Sequence, residues 1–106
     1  MRKDAVTPEL RWAVIRRDGI CFVYLLDRQH KCQDAYGNRH SPRDLHLLTV
    51  DHVHDEGGKM GKRAPSDEQH LVAMCARANV AGPSRLVRQA ERLYLDRLYN
   101  RTAIHD

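Results

Sequence analysis

The pattern of apolar and polar positions predicts a helix near the start of the chain. Thr7-Pro8-Glu9 supplies a hydroxyl cap, a proline at the first helical position and an acid in the first turn. Leu10, Ala13 and Val14 then fall on one face, and Asp18-Gly19 has the composition of a helix end, since glycine readily adopts a positive φ.

The middle of the chain contains shorter apolar runs. Residues 20–32 begin apolar and end polar, and residues 33–43 hold turn-forming residues. Residues 45–50 indicate a short strand that leads into Asp51-His52. The run HLVAMC, residues 70–75, fits a helix or a strand, because a brief apolar run does not distinguish them.

A second amphipathic helix is predicted for residues 84 to about 100, which follow Gly82-Pro83. Its apolar positions repeat at helical spacing, and three arginines line a different face. Between the two apolar runs, residues 55–65 carry three glycines and three cations, which predicts a mobile basic loop.

Length and charge limit the class of protein. A chain of 106 residues is expected to form one domain, and with 6% aromatic residues it is expected to draw stability from a metal, a partner or a ligand. Eighteen basic against fourteen acidic residues give a net charge of +4, which favours an acidic partner such as nucleic acid.

The composition also indicates a compartment. No stretch approaches the roughly 18 apolar residues of a membrane span, and MRKDAVTPEL lacks the apolar core of a signal peptide. Three cysteines, an odd number, argue for a reducing environment. We therefore expect a cytoplasmic protein without membrane contact.

One ordered set of residues resembles the HNH endonuclease family. Asp51-His52 at a strand end, the glycine-bearing basic loop, His70, and Asn79 nine residues later match its motif, here read H-H-N. The resemblance implies an α+β fold with a ββα-metal core at about residues 46–81, between an N-terminal and a C-terminal helix.

The amino-acid sequence around the motif is similar to that of small HNH proteins of actinobacterial bacteriophages. The similarity extends back to the Arg17–Cys21 segment, RDGIC. It implies DNA as substrate, the host cytoplasm as location, and phage packaging (terminase) proteins as further partners.

The resemblance also assigns roles to the motif residues. His52 is expected to be the general base, since a neutral imidazole accepts a proton near pH 7. Asp51 and Asn79 are expected to hold one divalent ion, Mg²⁺ or Mn²⁺, through oxygen ligands. His70, where the family usually has asparagine, is expected to tie down the loop. Adjacent strand residues point to opposite faces, so a regular strand cannot aim both Asp51 and His52 at one site.

The cysteines allow two interpretations. Many HNH domains hold a structural Zn²⁺ with two Cys-x-x-Cys pairs, and Cys21, Cys32 and Cys75 would be its ligands here. Three thiolates need a histidine, His30 or His40, or a water to complete the set. The incomplete set favours the alternative, in which the cysteines are ordinary buried residues.

Basic residues suggest a phosphate-binding surface. The candidates lie on the loop and on the last helix: Lys59, Lys62, Arg63, Arg85, Arg88 and Arg92. The alternative function is a non-catalytic nucleic-acid or protein binding module on the same scaffold, such as a phage packaging-associated factor. A third reading is a helix-rich DNA-binding regulator that uses the arginine face.

Overall fold

The computed structural model describes residues 5–53 and 65–99, which form an α+β fold with a two-stranded antiparallel sheet. The elements are α1 (Pro8–Asp18), α2 (Phe22–Leu26), β1 (Leu48–His52), β2 (Leu71–Cys75), α3 (Ala76–Ala81) and α4 (Arg85–Leu98). Short 3-10 turns, Leu45–Leu47 and Glu68–His70, precede the two strands. The hairpin followed by α3 is compatible with a ββα layout.

Helix α1 begins and ends at the predicted residues. The Thr7 hydroxyl accepts a hydrogen bond from the backbone N–H of Leu10 at 3.1 Å, which caps the first turn. At the other end Gly19 has a φ of 69°, and its N–H donates to the carbonyl of Ile15 at 2.8 Å. The residue with no Cβ therefore occupies the left-handed position that stops the helix.

The apolar run 70–75 forms a strand rather than a helix. All five side chains of β2 are buried, as expected for a strand covered on both faces. It pairs antiparallel with β1, with Leu48 opposite Cys75 and His52 opposite Leu71. The strand predicted for residues 45–50 begins only at Leu48, because the preceding three residues form a 3-10 turn.

Each face of the hairpin packs against a different part of the chain. One core cluster joins Ile15 of α1 to Leu48, to Cys75 and to the segment that carries Cys21. A second cluster joins Leu95 of α4 to buried apolar side chains, among them Phe22, Val53 and Val72. The hairpin is therefore enclosed between α1 and α4.

Arg17 and Asp18 connect α1 to both β2 and α4. The Arg17 guanidinium donates to the carbonyl of Leu71 at 2.6 Å, and Asp18 accepts from the N–H of Ala73 at 2.8 Å. The Tyr94 hydroxyl of α4 donates to Asp18. Burial and this carboxylate raise the pKa of Tyr94 to about 12. The predicted C-terminal helix is thus anchored to the hairpin.

The helices in residues 5–53 and 65–99 have 5 to 14 residues. None of these helices has the length and apolar character that crossing a membrane requires.

Candidate functional site

Four potential metal ligands converge beside the end of β2. The donor atoms of Cys21, His30, Cys32 and Cys75 all lie within 4.8 Å of one another. The three cysteines are buried and free of disulfides, whereas His30 is half-buried. The sequence interpretation considered the three cysteines as a zinc set completed by His30, His40 or a water, but favoured ordinary buried cysteines.

Separate elements position these ligands. Cys21 precedes α2, and its sulfur accepts a hydrogen bond from the N–H of Cys75 at 3.3 Å. Cys75 ends β2 and caps α3, since its sulfur accepts from the N–H of Ala78 at 3.5 Å. His30 lies in the turn after α2, with Nε2 at 3.5 Å from the Cys75 sulfur. The strand-to-helix junction is therefore the centre of the cluster.

The thiols influence each other's ionisation. A hydrogen bond from the Cys21 thiol is the main cause that lowers the pKa of Cys75 to about 4, and the N–H of Ala78 and the His30 side chain contribute. The same hydrogen bond, together with burial, raises the pKa of Cys21. Burial is the main cause that raises the pKa of Cys32 to about 11. A thiolate is therefore favoured at Cys75, where a cation would be attracted.

The donor set fits a tetrahedral zinc ion. Three sulfurs and one imidazole are a common structural zinc set, and a Zn–S distance of about 2.3 Å implies sulfur atoms about 3.8 Å apart. Donors within 4.8 Å of one another need only a small contraction to reach that geometry. His40 is engaged elsewhere, with Nδ1 at 2.8 Å from the carbonyl of Ser41. The cluster can therefore bind a metal such as zinc, and His30 supplies the donor whose absence argued against it.

The end of β1 places Asp51 against α4. The carboxylate is 5% exposed, and its Oδ2 accepts from Arg88 Nη1 at 2.9 Å. The same Nη1 donates to the backbone carbonyl of His52 at 3.0 Å. Asp51 is thus buried with a cationic partner already beside it.

Glu91 is the residue at this site that the sequence interpretation missed. Its side chain is fully buried, and burial followed by the nearby Asp51 carboxylate raises the pKa of Glu91 to about 10. A signal was present, because Glu91 lies at helical spacing between the apolar positions Val87 and Tyr94. An acidic residue on the apolar stripe of a helix indicates a buried charge with a specific neighbour.

His52 faces a different neighbour from Asp51. Its Nε2 lies 2.9 Å from the hydroxyl of Ser66, which precedes β2. The two adjacent side chains of β1 therefore contact different parts of the chain, as alternation along a regular strand requires. His70, immediately before β2, is 8% exposed and pairs through Nδ1 with Asp67 at 2.8 Å.

Asn79 lies against the two residues of β1 that precede Asp51. Its side-chain nitrogen donates to the Thr49 hydroxyl at 3.0 Å and to the carbonyl of Val50 at 2.8 Å. Thr49 shares a strand face with Asp51 because the two are separated by one residue. The structure thus brings the side-chain amide of Asn79, in α3, to the strand that carries Asp51.

The predicted phosphate-binding arginines of α4 differ in their surroundings. Arg85 is exposed and Arg88 is paired with Asp51. The Nε atom of Arg92 lies 3.3 Å from Oδ1 of Asp96. The loop candidates Lys59, Lys62 and Arg63 lie outside the described residues. Contact with nucleic acid stays a prediction for all six residues.

Comparison with known proteins assigns no family. The chain matches no protein-family model, no curated protein and no solved structure.

Proposed function

We propose that this chain is an HNH-type, metal-dependent endonuclease that hydrolyses DNA. The observation that carries the proposal is the pair of hydrogen bonds that fasten Asn79 of α3 to Thr49 and Val50 of β1. They hold the last residue of the H-H-N pattern against the two residues that precede Asp51 in the first strand, within a hairpin-then-helix layout.

This arrangement supports the proposed ligand pair. The amide nitrogen of Asn79 is engaged with β1, so its oxygen is the atom that would bind a metal. Together with the Asp51 carboxylate it offers the oxygen ligands that Mg²⁺ and Mn²⁺ prefer. A bound ion would stabilise negative charge on the phosphate and on the leaving oxygen.

His52 is the last residue of β1, so the strand would have to twist there to bring its imidazole to the side of Asp51. His52 would then accept a proton from the attacking water. When Nε2 carries the hydrogen that the Ser66 hydroxyl accepts, Nδ1 is the basic nitrogen. The expected products are a 5′-phosphate and a 3′-hydroxyl. The net charge of +4 favours the approach of a polyanionic substrate.

Zinc has a structural role in this proposal. Cys21, His30, Cys32 and Cys75 would bind one Zn²⁺ and join the segment around α2 to the junction of β2 and α3. Both the hairpin and the start of α3 would be stabilised by this link. The catalytic ion and the structural ion would differ in ligand chemistry, oxygen against sulfur.

The test is cleavage of supercoiled and linear DNA by zinc-loaded protein across Mg²⁺, Mn²⁺ and Zn²⁺. We expect cleavage with Mg²⁺ or Mn²⁺, a loss of about 100-fold or more in His52→Ala, and retention in His46→Ala. His46 is a matched control because it is exposed and stacks on Trp12 instead. Equal rates for His52→Ala and wild type would exclude His52 as the base.

A non-catalytic binding module on the same scaffold is the second candidate. The ion pair between Arg88 and Asp51 favours it, because a guanidinium already neutralises the proposed metal ligand. The partner would be nucleic acid or a protein of a phage packaging motor. Salt-sensitive DNA binding without cleavage under any divalent ion would support this candidate over the nuclease.

A further inference from the structure

The carboxyl groups of Asp51 and Glu91 are buried together with too little positive charge. Asp51 is 5% exposed and Glu91 is 0% exposed. Neither carboxylate oxygen of Glu91 has a hydrogen-bond donor among the residues that the structure describes. Among the described residues Arg88 is the cation beside both groups, so ionisation of both carboxyl groups would leave one buried negative charge uncompensated.

The position of Arg88 shows where a cation is attracted. Its Nη1 lies 2.9 Å from Asp51 Oδ2 and 3.5 Å from Glu91 Oε1, so the same nitrogen lies near both carboxylates. The Arg88 side chain is 33% exposed, which gives it a path toward solvent. The guanidinium therefore stands where a small divalent ion could replace or accompany it.

We propose that Glu91 of α4 is a further oxygen ligand of the divalent ion bound by Asp51. Oxygens of the two carboxyl groups flank the same Arg88 nitrogen. Oxygens around Mg²⁺ lie about 2.1 Å from the ion, so neighbouring ligand oxygens are about 3 Å apart, and an ion in place of that nitrogen would draw the two carboxylates together. One ion can therefore bind both carboxylates and supply the missing positive charge.

This inference rests on the proposed function and adds α4 to it. Asp51 and Asn79 belong to the hairpin and to α3, whereas Glu91 comes from a helix that follows them. Docking of α4 would then be required for tight metal binding, and Arg88 would be released from Asp51 when the ion binds. A released Arg88 is free to contact a phosphate.

The test measures Mn²⁺ binding to the zinc-loaded full chain by the electron paramagnetic resonance signal of free Mn²⁺. We expect Glu91→Gln, which keeps the side-chain shape, to weaken Mn²⁺ binding about 100-fold. Glu68→Gln is the matched control, since Glu68 is exposed and its carboxylate contacts Tyr99. Circular dichroism and thermal melting without Mn²⁺ report whether each variant is folded.

Arg88→Gln provides a second variant that does not depend on the folding of Glu91→Gln. Removing the competing cation should leave Mn²⁺ binding at least as tight as in wild type. Weaker Mn²⁺ binding in a folded Arg88→Gln protein would contradict the proposal. So would Mn²⁺ binding by Glu91→Gln within about threefold of wild type.

The results separate this inference from the nuclease proposal. If Mn²⁺ binding depends on Glu91 but DNA is not cleaved, Glu91 is a ligand and the nuclease proposal fails. If DNA is cleaved while Glu91→Gln binds Mn²⁺ normally, the nuclease stands and the ligand assignment fails. Absence of Mn²⁺ binding by wild type overturns the ligand assignment directly.

Discussion

Substitution of His30 tests the metal cluster most directly. In the structure its Nε2 lies 3.5 Å from the Cys75 sulfur, and it completes a set of one imidazole and three thiols. His40 is the matched control, because both histidines were candidates from the sequence and His40 lies against Ser41 instead. We expect His30→Ala to weaken Zn²⁺ binding strongly and His40→Ala to leave it nearly unchanged.

The expected loss follows from the number of ligands. Structural zinc sites of four ligands bind with about 10–16 kcal/mol in small peptides at pH 7, or about 2.5–4 kcal/mol for each ligand. About 1.4 kcal/mol is a factor of ten, so one ligand corresponds to roughly 60- to 700-fold in affinity. His30 is half-buried, so water can take its place. We therefore expect a loss of about 100-fold, near the lower end.

Cobalt substitution provides the assay. Co²⁺ in a tetrahedral site with thiolate ligands absorbs visible light strongly, and competition between Zn²⁺ and bound Co²⁺ gives the relative affinities. Wild type and His40→Ala should show the tetrahedral spectrum and similar affinities. Zinc affinity of His30→Ala within threefold of wild type, or an equal loss in His40→Ala, would refute the assignment of His30.

Further predictions concern buried polar groups. The pKa of Glu91 is raised in the fold to about 10 from 4.5, so above pH 4.5 the unfolded state loses a proton that the folded state keeps. Denaturation of metal-free protein should therefore show stability falling between about pH 5 and 9, by up to about 1.4 kcal/mol per pH unit, with a flatter profile in Glu91→Gln. Asp18→Ala should lower the free energy of unfolding in urea by about 2–4 kcal/mol, because a backbone N–H of β2 and a tyrosine hydroxyl of α4 lose their acceptor. The exposed control Asp27→Ala should change it by less than about 1 kcal/mol. Asn79→Ala removes two hydrogen bonds to β1 and should lower the free energy of unfolding by about 1–3 kcal/mol in the same assay. An unchanged free energy of unfolding would contradict the attachment of Asn79 to β1.

Helix ends were predictable from the sequence because their signals are local. Thr7 caps the start of α1 and Gly19 caps its end. Ser84 caps α4, since its hydroxyl accepts a hydrogen bond from the N–H of Val87 at 3.2 Å. Each of these signals depends on residues within one turn of the helix. The α+β class was instead an implication of the resemblance to HNH proteins, because the local pattern left residues 70–75 open between a helix and a strand.

The identity of β2 and the partners at the candidate sites depend on distant residues. Residues 71–75 form a strand because α1 and α4 cover both faces, which no local pattern shows. Asp51 and Arg88 are 37 positions apart, and His30 and Cys75 are 45 positions apart. Which of His30 and His40 joins the cysteines is decided by how the chain turns after α2, so the sequence alone left both open.

The placement of the cluster residues has a consequence for the order of folding. All four donors lie between Cys21 and Cys75, whereas α4 begins at Arg85. The part of the chain that a metal would link is therefore made before α4 leaves the ribosome, and it can assemble first. Asp51 would stay solvent-accessible until α4 packs against the hairpin, so the nascent protein would hold its structural metal before its strand-end site is closed.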